Sequence, residues 1–347
     1  MLRPMIENMQ NAVYSQEHAG INATSSYTIG ASAVEQAYVP ADLEDKPLVS
    51  SDNKTVDTLG NKIIALKIQT KDDDGNVLNT SALSEDEQAV IRRVMQVVTS
   101  PGTNASLLSS SFPEDSCKIL TRVMEGHPTT HMSCLFLMRL LILEEALMFR
   151  SGNASVFAMI DCVIARLASA QGPGGFTSVP ATVMALCTLA NLLSHESGKA
   201  LVLDRATVAG TVVDIAVAGL SHARVEVRQM SAIVAYNFTM AFTTDLAGSA
   251  GSSASPSRSI LSGADSELNT LAVQLFCGAM EGVSTEMNTS VRHRRLCVAL
   301  KLVRIGGQTA RSLGRDLGFG DDVSVISAST EAEKLVVDEM KRAFSIA

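Results

Sequence analysis

The sequence predicts an all-α protein in which helices stack in pairs around an aliphatic core. Apolar residues make up 46% of the chain, whereas aromatics contribute 4% and tryptophan is absent. The core must therefore be built from Leu, Val, Ala, Ile and Met. That palette suits helix on helix better than sandwiches or barrels, which lean on aromatic and β-branched side chains. Apolar positions also recur at helical spacing in one segment after another. The helix pairs return about every forty residues, the period of a repeat unit that buries its face only against stacked neighbours.

Residues 1–60 are polar and lack a sustained period. The hydroxyl cluster Thr24-Ser25-Ser26, the Val39-Pro40 step and the acidic stretch Asp42–Asp45 read as a flexible tail or linker. The folded domain is expected over 61–347, with order beginning near Lys62. After the turn signal Asp73-Asp74-Gly75-Asn76, Ser84 and Glu87 form a capping box. Val90, Ile91, Val94, Val97 and Val98 line one face of that helix, and Pro101-Gly102 ends it. A second helix fits Glu114–Met124. A third, from about Thr130 to Phe149, is apolar nearly all round and so requires burial on every side. Val156–Leu167 follows, closed by Gly172-Pro173-Gly174-Gly175. Ala181–Leu193 and Ala206–Leu220 form a pair separated by the turn His195-Glu196-Ser197-Gly198. Then come Val225–Phe242, a Ser/Gly/Ala-rich insert over about 246–263, Glu267–Met280, Val291–Val303, Ala310–Leu317 and Thr330–Phe344. The last helix opens on a second capping box, Thr330 and Glu333. No strand pair is expected. The resulting architecture is an armadillo/HEAT-like right-handed helical stack with a concave groove, a shape suited to extended peptides.

The formal net charge of −8 disfavours nucleic-acid binding driven by phosphate contacts. No apolar run is long enough to span a bilayer, and no apolar h-region follows Met1. The six cysteines, Cys117, Cys134, Cys162, Cys187, Cys277 and Cys297, form no C-x-x-C and read as thiols of a reducing compartment. The expected setting is cytoplasmic, with the nucleus as an alternative. No metalloprotease, P-loop, nucleophile-elbow or dinucleotide motif occurs, so no catalytic centre, cofactor or metal is expected. His127 and His131 share a helix-like spacing, but Pro128 between them argues for a loop. Cys297 and His293 stand four apart on one helix, and the apolar run Leu296–Leu300 makes Cys297 a core thiol rather than a nucleophile.

Charge placement is more informative. Arg292, Arg294, Arg295, Lys301, Arg304, Arg311 and Arg315 follow one another with no acid between them. Arg294 and Lys301 share a helix face, and Arg295 lies about 100° away, nearer the apolar stripe. An Arg at such an edge can hold a carboxylate by a two-pronged hydrogen bond; a solvated basic face or structural ion pairs are the alternative. Arg139 is the lone charge in the run Met132–Leu143 and must find a partner or open onto a cavity; Glu144 and Glu145 are the nearest candidates.

Several segments together resemble the PUL domain of the phospholipase A2-activating protein family. Leu83-Ser84-Glu85-Asp86-Glu87 is similar to its opening helix. Ile119-Leu120 through Arg139-Leu140 is similar to its second and third helices, and Met184–Asn191 to its next signature. Ile233–Phe238, Arg295–Leu300 and Leu313–Gly318 continue the likeness in order, over about Lys62 to Ala347. The resemblance implies an armadillo-like stack that holds the acidic C-terminal tail of the AAA ATPase valosin-containing protein, in ubiquitin-dependent turnover. It implies that Arg139 and Arg295 are groove cations, with ubiquitin-pathway proteins as indirect partners. Asn191 and Asn237, polar residues on apolar helices, are candidates to hydrogen-bond a peptide backbone, beside Arg294 and Lys301. Cys187 stands where the family usually has Arg, and Phe136 where it has Asp one turn before Arg139. Two rival readings remain: a helical scaffold for some other protein, and a regulatory domain of an enzyme whose catalytic part lies elsewhere.

Overall fold

The computed structural model describes residues 38–39, 42–43, 48–71, 77–100, 111–149, 154–169, 175–176, 178–247 and 266–345. In chain order its elements are β1 (Tyr38–Val39), β2 (Asp42–Leu43), α1 (Val56–Ile64), β3 (Lys67–Lys71), β4 (Val77–Ser81), α2 (Glu85–Thr99), α3 (Phe112–Gly126), α4 (His131–Leu141), α5 (Glu145–Met148), α6 (Ala154–Ala168) and α7 (Val179–Leu192). They continue with α8 (Glu196–Leu203), α9 (Ala206–Leu220), α10 (Val225–Ala247), α11 (Ser266–Met280), α12 (Thr289–Asp316), α13 (Phe319–Ser324) and α14 (Glu331–Ser345). Among the described residues the secondary structure is helical apart from two short strand pairs. It divides into two compact units, one over Ser51–Leu192, the other over Leu193–Ala347 with the residues up to Ser50.

In the unit over 51–192, α4 is the central element, packed against α1, α2, α3 and α7. Every residue from Ser133 to Leu141 is buried, as an apolar surface on all sides of a helix demands. The capping box of α2 forms with both arms: Ser84 Oγ accepts the Glu87 N–H at 3.2 Å, and Glu87 Oε2 accepts the Ser84 N–H at 2.9 Å. The expected long third helix is interrupted. A 3-10 turn, Pro128–Thr130, precedes α4, and at Glu144 the backbone leaves the helical region (ψ 61°) before α5 starts.

Two further departures concern strands and an early helix. β3 and β4 pair antiparallel, from Lys67 opposite Ser81 to Lys71 opposite Val77. The turn signal around Asp74-Gly75 lies between them, and β3 alternates Lys-Ile-Gln-Thr-Lys, a period of two too short to stand out against the helical segments. α1 begins at Val56, ahead of Lys62, and buries Val56, Leu59 and Ile63.

In the unit over 193–347, α9 packs against α8, α10 and α11, and α12 against α10, α11 and α14. Close approach is built in at Gly219 and Gly278, where an added Cβ would collide with Ser231 and Val217 respectively. The expected turn at His195 instead opens α8, with His195 Nδ1 accepting the Gly198 N–H at 3.2 Å as an N-cap. The segments expected as separate helices over 291–303 and 310–317 form one, α12, of 28 residues. Its Gly306-Gly307 pair lowers helix propensity by about 1 kcal/mol per glycine without breaking a helix braced by α10, α11 and α14. At α14, Thr330 Oγ1 accepts the Glu333 N–H, but Glu333 Oε2 reaches the Ser329 N–H, one residue upstream of the expected box. Most of the low-complexity insert, and residues 1–37, lie outside the described residues.

Candidate functional site

The acid-free basic run lies on α12, and the fold treats its cations very differently. Arg292 is spent on an ion pair: Nε and Nη2 reach Glu333 Oε1 at 2.6 Å and Oε2 at 3.0 Å, and Glu333 is 1% exposed. Arg304 pairs with Glu339 at the surface.

Arg295 is buried and donates to main-chain carbonyls. Nε reaches Ala279 O at 2.9 Å, and Nη2 reaches Gly278 O at 3.2 Å and Glu281 O as well. Nη1 extends to Leu220 O at 3.5 Å. These oxygens belong to the C-terminal ends of α11 and α9, where helices leave carbonyls unpaired and where a positive charge opposes the negative end of the dipole. The guanidinium is thus a clamp across two helix ends. One side of it also lines an open surface pocket of about 380 Å³, together with Arg228, Glu281, Glu286 and Met287. Arg228 meets Glu286 two-pronged, at 2.8 and 3.1 Å. Burial tends to raise the Glu286 pKa, but the hydrogen bonds from Arg228 and from the Asn288 N–H outweigh it and hold the carboxyl below its usual value.

Arg294 is 4% exposed, and its Nε has no hydrogen-bond partner. Among the described residues no carboxylate pairs with it. Burial pulls its pKa down to about 10, which still leaves the group charged at neutral pH. Lys301, two turns along, is 3% exposed; its Nζ lies 3.0 Å from Met240 Sδ and 5.2 Å from the Tyr236 ring centroid, so α10 supplies a soft, polarizable seat for it. Asn237, the next residue on α10, is fully buried, and its amide grips Leu48: Nδ2 donates to Leu48 O at 2.7 Å and Oδ1 accepts the Leu48 N–H at 2.8 Å.

The other two candidates lie in the unit over 51–192 and are brought together there. Asn191 Nδ2 donates to Arg139 O at 2.7 Å, tying α7 to α4. The Arg139 side chain, 1% exposed, donates through Nη2 to Asp52 O, and its guanidinium lies 4.3 Å from the Phe136 ring centroid. The aromatic at 136 thus supplies a cation–π face in place of the carboxylate that the resemblance led one to expect. Burial pulls the Arg139 pKa below its usual value, against smaller opposing effects of Cys187 and Asp52. Leu48 and Asp52 carried no sequence signal as partners, because both are engaged through main-chain atoms that any residue possesses.

His293 Nε2 and Cys297 Sγ meet at 3.5 Å. Burial pushes the thiol up to about 12 and the imidazole down to about 4, so both are neutral at pH 7 and no thiolate is available. A thiol titration of the native protein at pH 8 is therefore expected to label the half-buried Cys162 and Cys277 well before Cys297. Labelling of Cys297 as fast as these would restore a nucleophilic role. His127 and His131 do not form a metal group, and among the described residues no cluster of three or more His, Cys, Asp or Glu could hold one. No described helix is long and apolar enough to cross a membrane.

A helical fold with buried cations, side-chain amides that grip main chain and an open charged pocket is consistent with a protein-interaction module. The family model of the PUL domain matches residues 46–338, and the chain belongs to the PUL domain family. No curated protein and no solved structure matches the chain.

Proposed function

We propose that this chain is a non-catalytic adaptor module that binds the acidic C-terminal tail of the AAA ATPase valosin-containing protein in ubiquitin-dependent protein turnover. In this reading the helices form an armadillo-like stack working in the cytoplasm or nucleus, and ubiquitin-pathway proteins join through the ATPase. Arg139, Arg294, Arg295, Lys301, Asn191 and Asn237 are the proposed contacts. The observation that carries the reading is Arg294: a charged guanidinium, 4% exposed, that finds no counter-charge among the described residues. A buried charge left unpaired is costly, so an incoming carboxylate would gain both the Coulomb attraction and relief from that cost. Arg295 supports it from the edge of the open pocket, where one face of its fork stays within reach of solvent.

Titration of a fluorescent peptide of the ATPase's last ten residues against the full chain, read by anisotropy, tests the proposal. Saturable binding that weakens with added salt is expected. A control peptide with each Asp and Glu replaced by Asn and Gln should bind at least about tenfold more weakly, since losing even one good charge pair is worth ~1.4 kcal/mol or more. Equal binding of the two peptides would leave only a scaffold without acidic specificity, and no binding would remove the ATPase tail as the partner.

A further inference from the structure

Arg294 is 4% exposed, its Nε is enclosed without a hydrogen-bond partner, and no carboxylate acts on its charge among the described residues. α10, α11 and α14 pack against α12, and none of them has a carboxylate to spare at this place. α10 carries no charged residue from Gln229 to Met240, and α11 none from Leu268 to Met280. On α14, Glu333 is held by Arg292 and by the Ser329 N–H, and Glu339 by Arg304. Lys301 lies two turns along the same face of α12, about 10 Å away by helix rise, and is 3% exposed. Cys297 sits between the two cations. The charges that act on its thiol are those of Lys301, Arg294 and Arg304, all positive. Burial keeps the thiol protonated at neutral pH, so it adds no negative charge of its own.

We infer that Arg294, with Lys301 beside it, is the seat of one small monovalent anion of halide size, held over Cys297. A buried cation without a counter-charge is costly, and a small ion that enters with it removes most of that cost. The two cations leave only 4% and 3% of their surface open, which admits a halide or the tip of a carboxylate side chain but not a phosphate ester or a nucleic-acid backbone. The Cys297 S–H is a weak donor and its sulfur is polarizable, which suits a soft anion. The inference deepens the proposed function and rests on it in one respect: the anion occupies the guanidinium that a tail carboxylate would take.

The test compares thermal unfolding of the full chain in sodium chloride and in sodium gluconate at equal ionic strength, for the wild type, Arg294→Met and Lys301→Met. Gluconate is the control because its anion is too large for the opening. The wild-type midpoint is expected to rise saturably with chloride, by about 2 °C or more over the gluconate value. The rise should be smaller in Lys301→Met and absent in Arg294→Met. Equal wild-type midpoints in the two salts overturn the inference without any variant having to fold, and so does the same chloride rise in Arg294→Met. Chloride should also weaken binding of the acidic tail peptide more than gluconate does. A chloride-dependent midpoint with tail binding equally sensitive to both salts keeps the anion seat and removes Arg294 from the tail's contacts. Intact tail binding with no chloride effect on the midpoint overturns the seat and leaves the tail reading standing.

Discussion

Replacing Arg295 with methionine is expected to destabilise the protein by about 3 kcal/mol or more, since hydrogen bonds from a charged donor contribute ~1.5–3 kcal/mol each and the carbonyls left behind lose their partner. The side chain donates to Ala279, Gly278, Glu281 and Leu220 oxygens, at the ends of two helices that α12 has to hold together. Methionine fills much of the same volume but satisfies none of these acceptors. Lysine is expected to rescue little, because its single ammonium cannot span the fork-shaped set of oxygens. Urea denaturation of the three proteins measures the effect through the transition midpoint. An Arg295→Met protein as stable as the wild type, but deficient in tail binding, would mean that the guanidinium serves the ligand and not the helix ends.

The opposite sign is expected at Arg294. Arg294→Met should raise stability by about 1–3 kcal/mol, the gain seen when a poorly compensated buried charge gives way to a well-packed apolar side chain. The same substitution should weaken binding of the acidic tail peptide by about tenfold or more, or ~1.4 kcal/mol. A side chain that lowers stability yet supports binding is the mark of a functional group held against its own solvation preference. The pairing of the two readouts makes the expectation strict. A loss of stability on Arg294→Met would show that the guanidinium has a structural partner, and unchanged binding would remove it from the interaction surface.

Much of the helical architecture was legible because its signals are local. The Ser84–Glu87 capping box and the periodic valines of α2 placed that helix within a residue or two. The apolar surface all round α4 announced a central helix, and it is one. The errors came where tertiary contacts outweigh local preference. The stretch between Val303 and Ala310, left out of the two helices expected on either side, lies inside α12. The His195 turn became a helix start because an imidazole nitrogen can cap as an oxygen does. The β3–β4 pair was missed because five alternating residues per strand carry little periodic signal.

The candidate site was legible in part and for a similar reason. The acid-free run on α12, the lone Arg139 and the two asparagines stand out by residue type alone, since a charge or an amide amid apolar neighbours must be accounted for. Which of them is satisfied, and by what, could not be read there. Arg292 found Glu333 across 41 positions, Arg295 found helix-end carbonyls, Asn237 found Leu48 across 189, and Arg294 found no carboxylate among the described residues. Hydrophobic periodicity acts over a few residues and so is written along the chain. Partnering of buried polar groups depends on which distant segments meet, and main-chain partners leave no trace in residue identity, so only the folded arrangement could decide it.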